Sequence, residues 1–147
     1  MVVKNKRPFG FYVCSVAFMF ERMAYYAAKY LIYVFVAATV VTGGLGLTSV
    51  EAALIQSNLV AFTYLAPIIG GYISDRFIGA RYCVPVGIAL MAAGYWIGAS
   101  ATDAVGMNIM VTLVAIGTGL FKGNVAAISG ALFDDKEQLF NYVQLFA

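Results

Sequence analysis

The stretch "GGYISDRFIGAR", residues 70–81, sets Asp75, Arg76 and Arg81 among three glycines, between apolar runs at about 52–71 and 82–101. Each run has the roughly 20 residues that an α-helix needs to cross the hydrocarbon core of a bilayer. The stretch reads as the tight turn of a membrane hairpin. Outward from it lie two further apolar runs, about 9–41 and 107–133, so four transmembrane helices are expected. With 63% of its 147 residues apolar and 11% charged, the chain lies outside the range of soluble domains. The fold class expected is all-α integral membrane. The first run is too long for a cleaved signal peptide, and it carries charges in its middle.

The basic residues give the orientation. Lys4, Lys6 and Arg7 precede the first helix, and Arg76 and Arg81 lie between the second and third, whereas the connections 42–50 and 102–106 contain no Lys or Arg. The positive-inside rule then predicts a cytoplasmic N-terminus in a multi-pass protein of the cell membrane. The fourth helix returns the chain to the cytoplasm at "DDKEQ", residues 134–138, and residues 139–147 read as the start of a fifth helix.

Several chemistries find no residues here. The chain has no histidine, which removes imidazole relays and His-based metal sites. Cys14 and Cys83 fall inside predicted spans, where a thiol behaves as a small buried hydrophobe. No phosphate loop, zinc spacing or nucleophile–base arrangement is present, so neither an enzyme nor a bound cofactor or metal is expected. The net charge of +2 calls for no nucleic-acid partner.

The first helix nevertheless carries ions in "FERMAYYAAKY", residues 20–30. At 100° per residue, Phe18, Arg22, Tyr25, Tyr26, Lys29 and Tyr33 share one stripe, with Glu21 at its edge. Arg22 lies about 20 Å from the start of its helix at 1.5 Å per residue, and Lys122 of "GTGLFKGN" lies about 17 Å from the end of the fourth. The two cations are therefore expected at one depth. Asn108, Thr118 and Ser129 share the face of Lys122. Each such charge facing lipid costs about 2.5–3.5 kcal/mol at the membrane centre, so Glu21, Arg22, Lys29 and Lys122 must face protein or water. Three cations against one anion leave a surplus. It calls for carboxylates elsewhere or for an anionic group on a ligand.

Residues 70–81 resemble the signature loop of the major facilitator superfamily, roughly of the form G-G-x-x-x-D-R-x-G-x-R, through Gly70, Gly71, Asp75, Arg76, Gly79 and Arg81, with one residue more between Arg76 and Gly79. That resemblance implies a helical bundle of two six-helix halves around a central cavity, of which this chain would be part of the N-terminal half, and it associates the loop with a gate. A narrower resemblance is to the proton-dependent oligopeptide (peptide) transporter family. The first-helix motif E-x-x-E-R-x-x-Y-Y-G is matched by Glu21, Arg22, Tyr25 and Tyr26, with Lys29 as a following basic residue. The fourth-helix motif G-x-G-x-x-K-P-N is matched by Gly117, Gly119, Lys122 and Asn124, and Tyr64 stands where the family often has a cavity tyrosine.

What this implies is a symporter that moves di- and tripeptides into the cell with protons. Arg22 and Lys122 would hold the peptide carboxylate, Tyr25, Tyr26 and Tyr64 would line the cavity, and Lys29 would pair with an acid on the remaining helices. Phe18 departs from the pattern, since it stands where the motif has its first glutamate and a phenylalanine carries no proton. Glu21 is the intramembrane acid that is left, and it becomes the proton-coupling candidate. Two other readings fit the residues: the same fold carrying nitrate or another small anion, and a self-contained four-helix pore or scaffold dimerising through Gly94-x-x-x-Gly98 or Gly119-x-x-x-Gly123.

Overall fold

A computed structural model describes residues 9–131; the basic residues before Phe9, the acidic segment 134–138 and the expected fifth helix lie outside the described residues. Four helices follow one another: α1 Phe9–Ala37, α2 Ser49–Ile73, α3 Ala80–Ala99 and α4 Ala104–Ala131. Helices α2, α3 and α4 are long and apolar enough to cross a membrane, as befits a multi-pass membrane protein. Helix α1 has the length, but its charged, tyrosine-rich middle lowers its hydropathy.

Helix α1 ends at Ala37, earlier than the apolar run from 9 to 41 predicts, and Val40–Thr42 form a separate 3-10 turn. Apolar composition does not reveal this end, because it is made by backbone bonds. The amides of Leu45 and Leu47 turn back to the carbonyls of Phe35 and Val36 at 3.1 Å each, and that of Gly46 reaches Ala38 at 2.7 Å. They satisfy carbonyls that a helix end leaves without partners. Helix α2 then opens on a capping box: Glu51 accepts from the Thr48 amide at 2.9 Å, and the Thr48 hydroxyl accepts from the Glu51 amide at 3.3 Å.

The hairpin turn is tighter than expected. Gly70 and Gly71 belong to α2, which runs on into a π-helical turn, Ser74–Ile78, closed by the Gly79 amide on the Ser74 carbonyl at 2.8 Å. Arg81 is already in α3. Gly79 alone separates the two helices, with φ 81° and ψ 142°, a conformation open essentially to glycine. Asp75, Arg76 and Arg81 are exposed and form no ion pair among the described residues.

Helix α4 is the centre of the packing. It lies against α3 along most of its length and against α2 on its other side, and it buries more residues than any other described helix. Backbones meet where glycines leave room. A Cβ on Gly70 would fall 2.4 Å from the Gly119 carbonyl oxygen, and one on Gly87 would fall 2.7 Å from that of Gly117. Gly94 and Gly98 pack on Val114 and Met110 of α4 and Gly119 packs on Ala66 of α2, so these glycines serve contacts inside the chain rather than a dimer seam. Since lipid offers no hydrophobic drive between helices, such close van der Waals contact and interhelical hydrogen bonds hold the bundle. One bond of this kind joins the Ser74 hydroxyl to the Asn124 side-chain oxygen across the α2–α4 contact.

Helix α1 lies more loosely on this frame. Near its Ala37 end, Ile32 and Val36 join Ala52, Ile55 and Leu59 of α2 and Met107 to Val114 of α4 in one cluster. Near its Phe9 end, Cys14, Ala17 and Phe18 pack on a second cluster of Met91, Phe121 and Val125. The charged middle of α1 falls between the two. A direct test of the glycine contacts is thermal unfolding in detergent: Gly70→Val should lower stability by about 1–3 kcal/mol or more through overpacking, whereas Gly71→Val, whose Cβ meets nothing within 4 Å, should shift it far less.

Candidate functional site

Glu21 and Arg22 form a two-pronged pair. Arg22 Nε donates to Glu21 Oε2 and Arg22 Nη2 donates to Glu21 Oε1, both at 2.6 Å. Their side chains are 4% and 15% exposed, so the pair is sheltered by protein rather than left at a surface. A fork-to-carboxylate contact of this kind is stronger and more directional than a single charged bond. Neighbours on one helix can make it only because Glu21 leans towards α3 and α4, where it shares a cavity with Met91, Tyr95 and Phe121. The sequence placed Glu21 at the edge of the stripe. It turns out to be the partner of Arg22, and the stripe itself is left without an acid.

The guanidinium also lies over two aromatic rings. Arg22 Cζ lies 4.9 Å from the Tyr25 ring centre and 5.7 Å from that of Phe18. Both lie within the range of attraction between a cation and a ring face. Across the gap, Lys122 of α4 has its Nζ 5.6 Å from the centre of Tyr64 of α2. Phe18, which lies over the Arg22 guanidinium, also lines a cavity with Lys122. Three helices thus bring Arg22, Tyr25, Tyr64 and Lys122 into one site.

The other residues of the stripe stand further out. Tyr26 packs edge-on against Tyr25 at 5.5 Å but is 51% exposed. Lys29 is half-buried and has no ion-pair partner among the described residues; its carbonyl accepts from Gln56 Nε2 at 2.8 Å, which ties α1 to α2. On α4, Ser129 shares a cavity with Lys122, but Thr118 is turned into the α3 contact, its hydroxyl 3.4 Å from Met91 Sδ, and Asn108 bonds back to the Ala104 carbonyl. Sharing a helix face with Lys122 therefore does not bring Thr118 or Asn108 into its cavity. Gly70 proves to be a helix-crossing residue, while Asp75, Arg76, Gly79 and Arg81 lie at the Gly79 end of the hairpin.

Sequence reasoning missed Tyr95, which lies beside Glu21 in the same cavity and packs against both apolar clusters. An isolated tyrosine in an apolar helix gave no signal. It also missed the cavity that Cys14, Ser15 and Phe18 form with Lys122, although Ser15, Phe18 and Arg22 follow helical spacing.

No family model matches the chain. Individual proteins do. The chain is 31% identical over 118 residues to the peptide transporter YePEPT of Yersinia enterocolitica subsp. palearctica, and 30% identical over 115 residues to a di-/tripeptide transporter of Lactococcus lactis subsp. lactis. These alignments cover 78% and 77% of this chain, and the chain spans 23% of the length of each relative. Among solved structures, a mutant of peptide transporter POT in complex with alafosfalin superposes with a TM-score of 0.87 at 29% identity, over 95% of this chain and 29% of that one. The fold is that of part of a helical membrane transporter of the major facilitator type. The chain belongs, over the residues it has, to the POT family of peptide transporters.

The buried pair yields a prediction independent of any ligand. Arg22→Ala leaves the Glu21 carboxylate sheltered and unpaired, which should cost about 3–5 kcal/mol in thermal unfolding. Glu21→Gln added to that variant should recover a large part of the loss. Simple additivity of the two changes would show that the pair is not coupled.

Proposed function

We propose that this chain is the N-terminal part of a secondary active transporter that takes di- and tripeptides into the cell with protons, by alternating access around a cavity shared with the remaining helices. One observation carries the reading: Lys122 and Arg22, on different helices, bring surplus positive charge to a tyrosine-walled site whose single acid is already held by Arg22. An ammonium and a guanidinium at one place suit a carboxylate, and every peptide has one at its C-terminus. Tyr25, Tyr26 and Tyr64 would supply an amphipathic wall, and Lys29, without an acid partner among the described residues, would pair with a carboxylate of the remaining helices. The similarity to peptide transporters supports the substrate class over a small inorganic anion. The internal use of Gly94, Gly98 and Gly119 weighs against a self-contained pore.

The pair also suggests how a proton would enter. Glu21 occupies the Nε–Nη2 edge of Arg22, an edge that can take a carboxylate through two bonds. A proton on Glu21 would remove its charge and release that edge, so that proton and peptide bind in favour of one another. Gly70, Gly71, Asp75, Arg76, Gly79 and Arg81 would form the gate region, on the cytoplasmic side together with the N-terminus, in the cell membrane.

Uptake of a labelled dipeptide by proteoliposomes carrying the full-length protein is expected to rise several-fold with an inward proton gradient. Lys122→Ala should weaken dipeptide binding at least tenfold while membrane insertion persists. Glu21→Gln should make uptake insensitive to the gradient and leave peptide exchange in place. No uptake or binding of any di- or tripeptide would reject the reading, and a Glu21→Gln protein still driven by protons would reject Glu21 as the carrier.

A further inference from the structure

Glu21 has a second polar neighbour that its pairing with Arg22 leaves unused. Tyr95 of α3 lines the same cavity, and the other residues around it, Ala17, Ala24, Ile88, Met91 and Phe121 among them, are apolar. The backbone sets the place of this tyrosine. Gly94 and Gly98 hold α3 close against Val114 and Met110 of α4, and one residue on from Gly94 lies about 100° around the helix from that contact, on the side of the cavity shared with α1. Packing on both apolar clusters fixes the Tyr95 ring, while its hydroxyl forms no hydrogen bond among the described residues. Glu21, for its part, has both carboxylate oxygens on Arg22.

We propose that Tyr95 is a positioning residue for the proton step: its hydroxyl receives the Glu21 carboxyl when that group takes up a proton and lets go of Arg22. The inference rests on the reading of Glu21 as the proton carrier given above. A proton from water that adds to Glu21 leaves one O–H to donate and one oxygen to accept, and Tyr95, which keeps its own proton, can meet either. Without such a partner the released carboxyl would stand unsatisfied among apolar side chains, a cost that holds it on Arg22. The ionised carboxylate gains less from Tyr95, because each of its oxygens already accepts from Arg22. The hydroxyl therefore favours the protonated, released state over the paired one, and so frees the guanidinium for a peptide carboxylate. The other titratable groups nearby are engaged elsewhere. Arg22 is the present partner and lies over Tyr25 of its own helix, whereas Lys122 of α4 lies over Tyr64 of α2 and lines the separate cavity with Phe18.

The test is the pH profile of labelled Ala-Ala uptake by proteoliposomes carrying the full-length protein. Tyr95→Phe keeps the ring and removes the hydroxyl. The midpoint of its profile is expected to move to more acidic pH by about half to one unit, the worth of one hydrogen bond expressed as proton affinity. A midpoint is read independently of the maximal rate, so a variant that is only less stable or less abundant does not move it. The pH dependence of Ala-Ala binding to the detergent-solubilised protein should shift alike, which keeps the proposal testable if the variant binds without transporting. An unchanged midpoint in the folded Tyr95→Phe protein would overturn the role of Tyr95 and leave the proton reading intact. A wild-type profile flat in pH, or a Glu21→Gln protein whose uptake still follows pH, would instead overturn the reading on which the inference depends.

Discussion

Helix α4 lies against the backbones of two neighbours at once, and the remaining geometry depends on that contact. Gly119 meets α2 at Ala66 and Gly70, and Gly117 meets α3 at Gly87. With side chains removed from both crossings, α4 has little freedom to rotate, and Lys122, three residues on from Gly119, is fixed in direction. Its amine lies over the Tyr64 ring of α2, and its side chain lines a cavity with Phe18 of α1. In a bilayer, where burial against lipid gives no net hydrophobic gain, contact of this closeness is what makes a helix position definite enough to present a charge.

The charged site then follows from a second constraint, that ions within the membrane face protein or water. Arg22 meets it with a carboxylate on one edge and aromatic rings near its plane. Lys122 meets it with a single tyrosine ring among the described residues, and Lys29 with no ion pair there. The pattern separates a satisfied cation from two less satisfied ones. It gives the site an electrostatic direction that a symmetrical cluster would lack.

The membrane helices were legible in the sequence because their signal, apolar length, averages over many residues. The convergence of Arg22 and Lys122 was legible too, since helical rise converts residue number into depth. The ends of the helices were less so. Ala37 ends α1 through backbone bonds from Leu45, Gly46 and Leu47, and Gly79 makes a joint of one residue through a π turn, and neither depends on hydropathy. Thr118 and Asn108 share a face with Lys122 but not its cavity, because a polar side chain on α4 can be satisfied by a sulfur atom or by its own helix. Tyr95 required the tertiary structure, since it reaches Glu21 from α3.

The fastening of α1 has a mechanical consequence. Its Ala37 end is tied by amides from the following loop, and Gln56 grips the carbonyl of Lys29. Nearer Phe9, Cys14, Ala17 and Phe18 pack on Met91, Phe121 and Val125. Arg22 sits about 10 Å along the helix from Lys29, at seven residues and 1.5 Å each. The helix rests on two unlike supports, backbone bonds at one end and side-chain packing at the other, with its charged group between them, so that a shift in the packing would move the guanidinium and leave the bonds at Ala37 in place.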